Sequence, residues 1–295
     1  MGANVTSAAL LDWYRDRRAA YPWRGSGDPY AVLVSEVMLQ QTQAARVVPA
    51  FRRFLERFPT VRALAAAPRA EVLRAWAGLG YNRRAIALAE AARAIVRDHG
   101  GVVPGDVAAL RALPGVGPYT AAAVAALAFG VPVVAIDTNV RRVVARVRAG
   151  VGDPAVMDAT ELERLAGAWL GRSDPGAWNQ AVMDLGRMHC RPRPRCGACP
   201  LARGCRFRRS GSRDGVPARR SAEPFEGSTR QLRGAIVRAL ASGPPTMSLR
   251  TLANLTEADE ERVRASVATM HREGIVAAGP SALVGSSRGM VRLPR

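Results

Sequence analysis

Four cysteines within sixteen residues constrain this chain more than any other feature. Cys190, Cys196, Cys199 and Cys205 are all the cysteines it has, and they follow the spacing C-x5-C-x2-C-x5-C. Chance placement this close is improbable. Disulfides would need an oxidising compartment, and the opening stretch "MGANVTSAALLDWYRDRRAAYPW" has no basic region before its short apolar run, so it does not read as an export signal. Gly2 does not open a myristoylation pattern, and no apolar run reaches the roughly 18 residues needed to cross a bilayer. A cytoplasmic chain without a membrane partner is expected. Four thiolates in one loop then read as ligands of a metal centre, either zinc or an iron–sulfur cluster. The spacing alone does not separate the two.

The first two thirds of the chain read as helices joined by short loops. "SAALLDWYRDRRAA" carries an apolar stripe at Leu10, Leu11 and Tyr14. "DPYAVLVSEVMLQQT" offers Asp28 as an N-cap and Pro29 at the first helical position. "QAARVVPAFRRFLERF" repeats Val47, Val48, Phe51, Leu55 and Phe58 at helical spacing. "RAEVLRAWAGLG", "RRAIALAEAARAIVRDHGG", "DVAALRALPG", "PYTAAAVAALAFG" and "TNVRRVVARVRAG" each stop at glycine, the usual helix end. Alternating apolar runs long enough for a sheet are absent, so the fold class is all-α. Residues 209–229, rich in Arg, Ser, Gly and Pro, read as a basic linker. Beyond it, residues 230–295 offer three helices and then "IVAAGPSALVGSSRGMVRLP", which alternates around a turn as a small hairpin would. Three helices and a hairpin predict a small winged-helix-like module.

Charge narrows the partner. The chain has 43 basic residues against 24 acidic ones, a formal net charge of +19. Every basic residue is arginine. A GC-rich genome accounts for arginine over lysine but not for the excess, which points to a polyanion, nucleic acid above all. Without a lysine, no side-chain amine can form a Schiff base.

Three further segments carry candidate chemistry. In "LPGVGPYTA", Leu113, Gly115, Val116 and Gly117 form a tight turn just before a helix starting at Pro118, whose free N–H groups can hold a phosphate. Such a contact positions a protein on DNA without reading sequence; an ordinary glycine-containing turn between helices reads equally well. In "SEVMLQQTQ", Glu36 shares a helical face with apolar neighbours, which raises a carboxyl pKa as a general acid requires. Taken alone, that segment favours a glutamate that caps a helix or pairs with an arginine. In "VPVVAIDTNVRRV", Asp137 ends an apolar run, either as an N-cap or as a carboxylate able to stabilise positive charge in a transition state.

The order of these features is more specific than any one of them. "PWR", "SEVMLQQTQ", "GLGYNRRA", "LPGVGPYTA", "IDTNVRRV", "WNQAVMDLG" and "CPLARGC" together resemble the helix–hairpin–helix DNA glycosylases of the endonuclease III superfamily, and within it the adenine DNA glycosylases of the MutY type, over roughly residues 9–208. The resemblance implies a catalytic core over 1–208, with 1–24 and 138–208 forming an iron–sulfur domain and 25–137 a six-helix domain. It implies a [4Fe–4S] cluster on the four cysteines. It implies that Glu36 protonates adenine and then activates water, and that Asp137 stabilises an oxocarbenium-like sugar, with Tyr119 and Asn139 supporting the site. Trp23, Arg24 and Gln180 fall where the family contacts the flipped adenine, and Gln40, Gln41 and Tyr81 where it engages the base stack. The partner would be double-stranded DNA with a mismatched or damaged pair, met by a monomer, at the nucleoid if the source is bacterial.

Tyr119 occupies the position at which the bifunctional branch carries a lysine, so the resemblance implies a monofunctional enzyme leaving an abasic site. The chain departs from the family pattern at Thr138, where glycine is usual, and at Asn82, where a second aromatic is usual. Its first cysteine gap is five residues instead of six. Its last residues do not look like the Nudix-like domain that commonly reads 8-oxoguanine, which suggests a short form. Two other readings compete. A thymine or uracil glycosylase acting on G mismatches shares the scaffold, against which Glu36 and Gln180 speak for adenine. A non-catalytic iron–sulfur DNA-binding regulator would have no need of Glu36, Tyr119 and Asp137 together.

Overall fold

A computed structural model describes residues 2–170, 174–211 and 224–295. Most of the expected basic linker, residues 212–223, lies outside the described residues. In chain order the helices are α1 (Gly2–Arg17), α2 (Pro29–Leu39), α3 (Ala44–Arg57), α4 (Val61–Ala66), α5 (Arg69–Trp76), α6 (Arg83–Asp98), α7 (Val107–Ala112) and α8 (Pro118–Phe129). They continue with α9 (Thr138–Val144), α10 (Ala159–Trp169), α11 (Pro175–Met188), α12 (Arg206–Arg209), α13 (Thr229–Ser242), α14 (Leu249–Thr256), α15 (Glu260–Arg272) and α16 (Pro280–Leu283). Three short strands, β1 (Thr246–Ser248), β2 (Ala277–Ala278) and β3 (Met290–Arg292), lie among the last helices. The chain divides into two compact units.

The first unit comprises Met1–Glu36, Gly105–Ala112 and Val116–Arg220. α2, α10 and α11 begin where acidic side chains satisfy their first N–H groups, a low-cost local solution to orphan donors. Asp28 Oδ1 accepts from the Tyr30 N–H at 2.9 Å, Asp158 from Glu161 at 3.0 Å and Asp174 from Ala177 at 2.7 Å. α11 packs against α1, α8 and α9. The core they share holds Leu10, Val143, Leu185 and Phe207, with Trp169 and Trp178 edge-to-face at 5.4 Å. α8 is buried over Thr120–Ala126, mostly a row of alanines, a side chain small enough to let neighbouring backbones approach. Asn179, fully buried, accepts from the Ala135 N–H at 2.8 Å and donates to the Val133 carbonyl at 2.9 Å. It thereby fixes the extended segment that leads into Asp137.

After α9 the backbone widens into one π-helical turn, Ala145–Ala149, closed by Gly150 in the left-handed region. The turn carries Arg146 inward, only 1% exposed, where its guanidinium donates to the carbonyls of Gly152, Arg191 and Pro192 at 3.1, 2.6 and 3.0 Å. A buried guanidinium needs acceptors on every side, and here they come from the start of the cysteine loop.

The second unit comprises Val37–Pro104, Leu113–Gly115 and Ser221–Arg295. α4 and α5 pack on the alanine-lined face of α6, and Phe54 meets Trp76 edge-to-face at 5.9 Å. α13 packs on α5, and α13, α14 and α15 pack on one another. The strands form an antiparallel sheet in the order β1-β3-β2, with Met247 and Ala278 both opposite Val291. Three helices and this sheet make the winged-helix-like arrangement. The expected two-strand hairpin differs in detail: α16 lies between β2 and β3, started by Pro280 at its first position, and β1 adds a third strand. At three residues, β1 is too short for its alternation to show in sequence.

Candidate active site

Glu36 sits on α2 among apolar neighbours. Tyr30, Ala31, Val32, Leu33 and Val34 are all buried, and Glu36 itself is 5% exposed. No arginine neutralises it directly, and its Oε2 has no hydrogen-bond partner in the protein. Burial, the largest influence, pushes its pKa from the ordinary 4.5 up to about 7. A hydrogen bond from the Tyr119 hydroxyl pulls it down, the charge of Asp137 pushes it up, and Arg24 pulls it down. Tyr119, second residue of α8, is held neutral by its own burial and by the nearby carboxylates, so it stays a donor. Its hydroxyl lies 3.7 Å from Met183 Sδ. The carboxyl is thus poised between acid and base at neutral pH.

Asp137 caps α9, as its local sequence suggested, yet capping engages only one of its oxygens. Oδ1 accepts from the Val140 N–H at 2.6 Å, while Oδ2 accepts from Asn139 Nδ2 at 2.8 Å. The Asn139 carbonyl in turn accepts from Arg142 at 2.7 Å. Arg142 also donates to the carbonyls of Gly186 at 3.0 Å and Cys190 at 2.5 Å. Gly186 permits this approach, because a Cβ there would lie 2.6 Å from Asn139 Cβ. The carboxylate is therefore immobile, with a hydrogen-bonded chain running from it to the first cysteine.

Trp23, Arg24 and Gln180 are all engaged inside the unit. Trp23 is 6% exposed and stacks on Tyr21 at 5.0 Å. Arg24 makes a two-pronged, buried pair with Asp184 at 2.7 and 3.0 Å, its guanidinium 5.0 Å from the Tyr21 ring centre. Gln180 accepts a hydrogen bond from the Tyr14 hydroxyl through its carbonyl oxygen, which orients its amide.

The four cysteines line a single pocket, together with Arg146, Leu185 and Phe207. Arg146 lies 3.7 Å from Cys190 Sγ. Among the described residues, no three Cys, His, Asp or Glu side chains come close enough to share one metal ion. Four thiols gathered on one pocket beside the Arg146 guanidinium are the donor set a metal centre needs.

In the hairpin segment, the two glycines differ. Gly115 has φ +73°, and a Cβ there would sit 2.6 Å from Ala87 Cβ, so no other residue fits. Gly117 is the N-cap of α8 with an ordinary φ of −85°. Leu113 and Val116 are buried, at 4% and 7% exposure, so neither side chain reaches outward. In the second unit, Gln41 and Tyr81 have φ of +54° and +48°, two of the three non-glycine residues described with positive φ. Arg84 organises them: it donates to the carbonyls of Val37, Met38 and Gln40 at 2.9, 2.9 and 2.5 Å and to that of Gly80 at 3.1 Å.

A family model described as "HhH-GPD superfamily base excision DNA repair protein" matches residues 34–167. The chain is 44% identical over 239 residues to the adenine DNA glycosylase of Mycolicibacterium smegmatis, which covers 80% of each chain. It belongs to the adenine DNA glycosylase family. Solved structures of a thermostable thymine-DNA glycosylase (TM-score 0.66, 30% identity) and of endonuclease III trapped covalently on DNA (TM-score 0.59, 26% identity) resemble it over 71% of this chain and 97% and 98% of theirs. The fold is thus shared with glycosylases of other specificity, while the higher identity lies with the adenine enzymes.

Four residues of this family member that shape its site were not singled out in the sequence. Asp184, Asn179, Arg142 and Arg146 each act on partners far away in the chain, such as Arg24 at 160 positions from Asp184. Asn179 and Asp184 lie within "WNQAVMDLG" and Arg142 within "IDTNVRRV", while Arg146 lies in none of the motifs.

Proposed function

We propose that this chain is a monofunctional adenine DNA glycosylase of base excision repair. It extrudes adenine mispaired with 8-oxoguanine or guanine in double-stranded DNA and hydrolyses its N-glycosidic bond, leaving an abasic site. The observation that carries this reading is Glu36, buried, unpartnered at Oε2 and poised near pH 7 beside the pinned Asp137. Two carboxyl groups in unlike environments are the arrangement used to cleave glycosidic bonds.

In this reading protonated Glu36 donates to a ring nitrogen of the extruded adenine, and the bonding pair of the breaking C–N bond leaves with the base. Asp137, its oxygens fixed by Val140 and Asn139, stabilises the cationic sugar. Glu36, now a carboxylate, takes a proton from the water that adds to the sugar and is restored. Trp23, Arg24 and the oriented Gln180 hold the base. Gln41 and Tyr81 enter the stack as it opens, at a cost of a few kcal/mol that is lowest at a mispair. Gly115, Gly117 and the start of α8 seat a phosphate through backbone N–H groups.

Cys190, Cys196, Cys199 and Cys205 would hold a [4Fe–4S] cluster, which would cross-link the loop to which Arg142 is bonded. Residues 1–24 and 138–208 are read as the cluster domain, 25–137 as the six-helix domain, and 209–229 as the link to 230–295. The enzyme would act as a monomer, in the cytoplasm at the nucleoid of a bacterial cell. No described helix is long and apolar enough to cross a membrane.

The test is incubation with duplexes containing A·8-oxoguanine, A·G, T·G or U·G, assayed for abasic sites with and without alkali. Adenine should be lost from the first two alone, and strands should break only after alkali, because Tyr119 cannot form an imine and the chain has no lysine. Removal of thymine or uracil, or scission without alkali, would refute the assignment.

A pH profile tests the Glu36–Tyr119 contact separately. Excision requiring protonated Glu36 should decline about tenfold per pH unit above a midpoint near 7. The Tyr119 hydroxyl favours the ionised form, so Tyr119→Phe should move that midpoint to higher pH. A shift to lower pH would show that the hydroxyl does not bond the carboxylate.

A further inference from the structure

We propose that His189 donates a hydrogen bond from Nδ1 to the metal centre of the four cysteines and, together with Arg146, raises the reduction potential of that centre. Both act as positioning residues for the cluster and neither touches the substrate. The inference rests on the cluster reading given above and adds to it the side chains that set the electronic state of the cluster.

His189 ends α11 immediately before Cys190, and it lines the pocket of the four cysteines. Three contacts fix its place. Its backbone N–H donates to the Leu185 carbonyl at 2.9 Å, and its own carbonyl accepts from the Arg195 N–H at 2.8 Å. The second of these bonds closes the turn between Cys190 and Cys196, where this chain has five residues. The imidazole meets Trp13 edge-to-face at 5.7 Å. Backbone and ring are therefore held, yet Nδ1 is shielded from water and has no hydrogen-bond partner among the described residues. A buried polar atom without a partner is costly, and a group bound beside it removes that cost.

The charged groups that act on the ring are Arg17, Arg191 and Arg195. A guanidinium only donates, so none of them can accept from Nδ1–H. Sulfur is the acceptor that the pocket offers. Val147, Leu185, Ala202 and Phe207 make much of its remaining wall apolar, so a hydrogen bond to sulfur there is little screened. Arg146 supplies a second donor, with Nη1 3.7 Å from Cys190 Sγ and the buried guanidinium anchored on the carbonyls of Gly152, Arg191 and Pro192. Reduction adds negative charge to a centre already bound by four thiolates. N–H groups that bond its sulfurs stabilise the reduced state more than the oxidised one, and the potential rises.

The experiment uses the full chain purified with its iron and reads the centre itself at an electrode. His189→Phe keeps a ring against Trp13 but has no N–H. It should lower the potential by about 59 mV, a tenfold change in the ratio of reduced to oxidised centre for one electron. Arg195→Ala removes an exposed charge beside the ring and should move the potential far less, because exposed charges are screened. A second measurement leaves the sequence intact and decides the matter even where His189→Phe holds less iron. The chain has three histidines, of which His189 lines the pocket. With the histidine nitrogens isotopically labelled and the centre brought to a paramagnetic state at the electrode, pulsed electron paramagnetic resonance should show coupling to a histidine nitrogen. An unchanged potential in His189→Phe, an equal fall in Arg195→Ala, or no such coupling in the unmodified protein would overturn the inference while leaving the cluster reading intact. Unmodified protein that contains no iron would remove both.

Discussion

Replacing Glu36 by Gln is expected to lower single-turnover adenine excision by a factor on the order of 10²–10⁴ while mismatch binding persists. The amide fills the same space but neither donates an acidic proton nor accepts one from water. Binding measured by titration of a mispaired duplex separates this from a loss of affinity, and full activity in the variant would remove Glu36 from the chemistry. The same substitution should stabilise the fold. Glu36 titrates at its ordinary 4.5 when unfolded and at about 7 when folded, so the folded state favours the protonated form. The stability this confers is complete below pH 4.5 and is lost as pH rises through 7. Glutamine never ionises, so the variant's advantage should widen over that window, to about 3 kcal/mol at pH 8. Thermal melts at pH 5 and pH 8 measure the difference. A variant with no relative gain at pH 8 would mean that the carboxyl is not buried as described.

The largest loss of stability is expected from Asp184→Ala. Asp184 is 3% exposed and bonds both prongs of Arg24, whose side chain is 9% exposed. Removing the carboxylate leaves a guanidinium buried without its partner, at a cost of about 3–5 kcal/mol. Arginine cannot escape by losing its proton. Replacing both residues, as Arg24→Met with Asp184→Leu, removes the charge together with its counter-charge and should recover much of the loss. Denaturant unfolding of the two variants decides the matter: a double variant less stable than Asp184→Ala would show that the pair is stabilising in its own right. Activity is expected to stay low in both, because Arg24 also lies 5.8 Å over the ring of Tyr14, which orients Gln180.

What could be read from the sequence followed from how local each signal was. Asp28, Pro29 and Gly115 act within a few residues of themselves, so their helix starts and turn were visible as patterns. Glu36 in isolation looked like a helix cap or an arginine partner, and only its order among the other motifs suggested chemistry. Its unpartnered oxygen is a property of tertiary packing. Arg142 and Arg146 lie in "TNVRRVVARVRAG", where helical periodicity cannot tell an exposed arginine from a buried one. Their inward direction depends on the π turn and on carbonyls more than forty positions away. β1 was invisible because a three-residue strand is defined by its partner and has no pattern of its own.

The left-handed backbone at Gln41 and Tyr81 has a consequence for how this protein tolerates change. A side chain in that region costs on the order of 1 kcal/mol relative to glycine, so thermal stability alone would draw both positions toward glycine. Such a drift would leave a sounder fold without the two side chains proposed to enter the duplex. On that proposed role, robustness and function pull in opposite directions at these two positions.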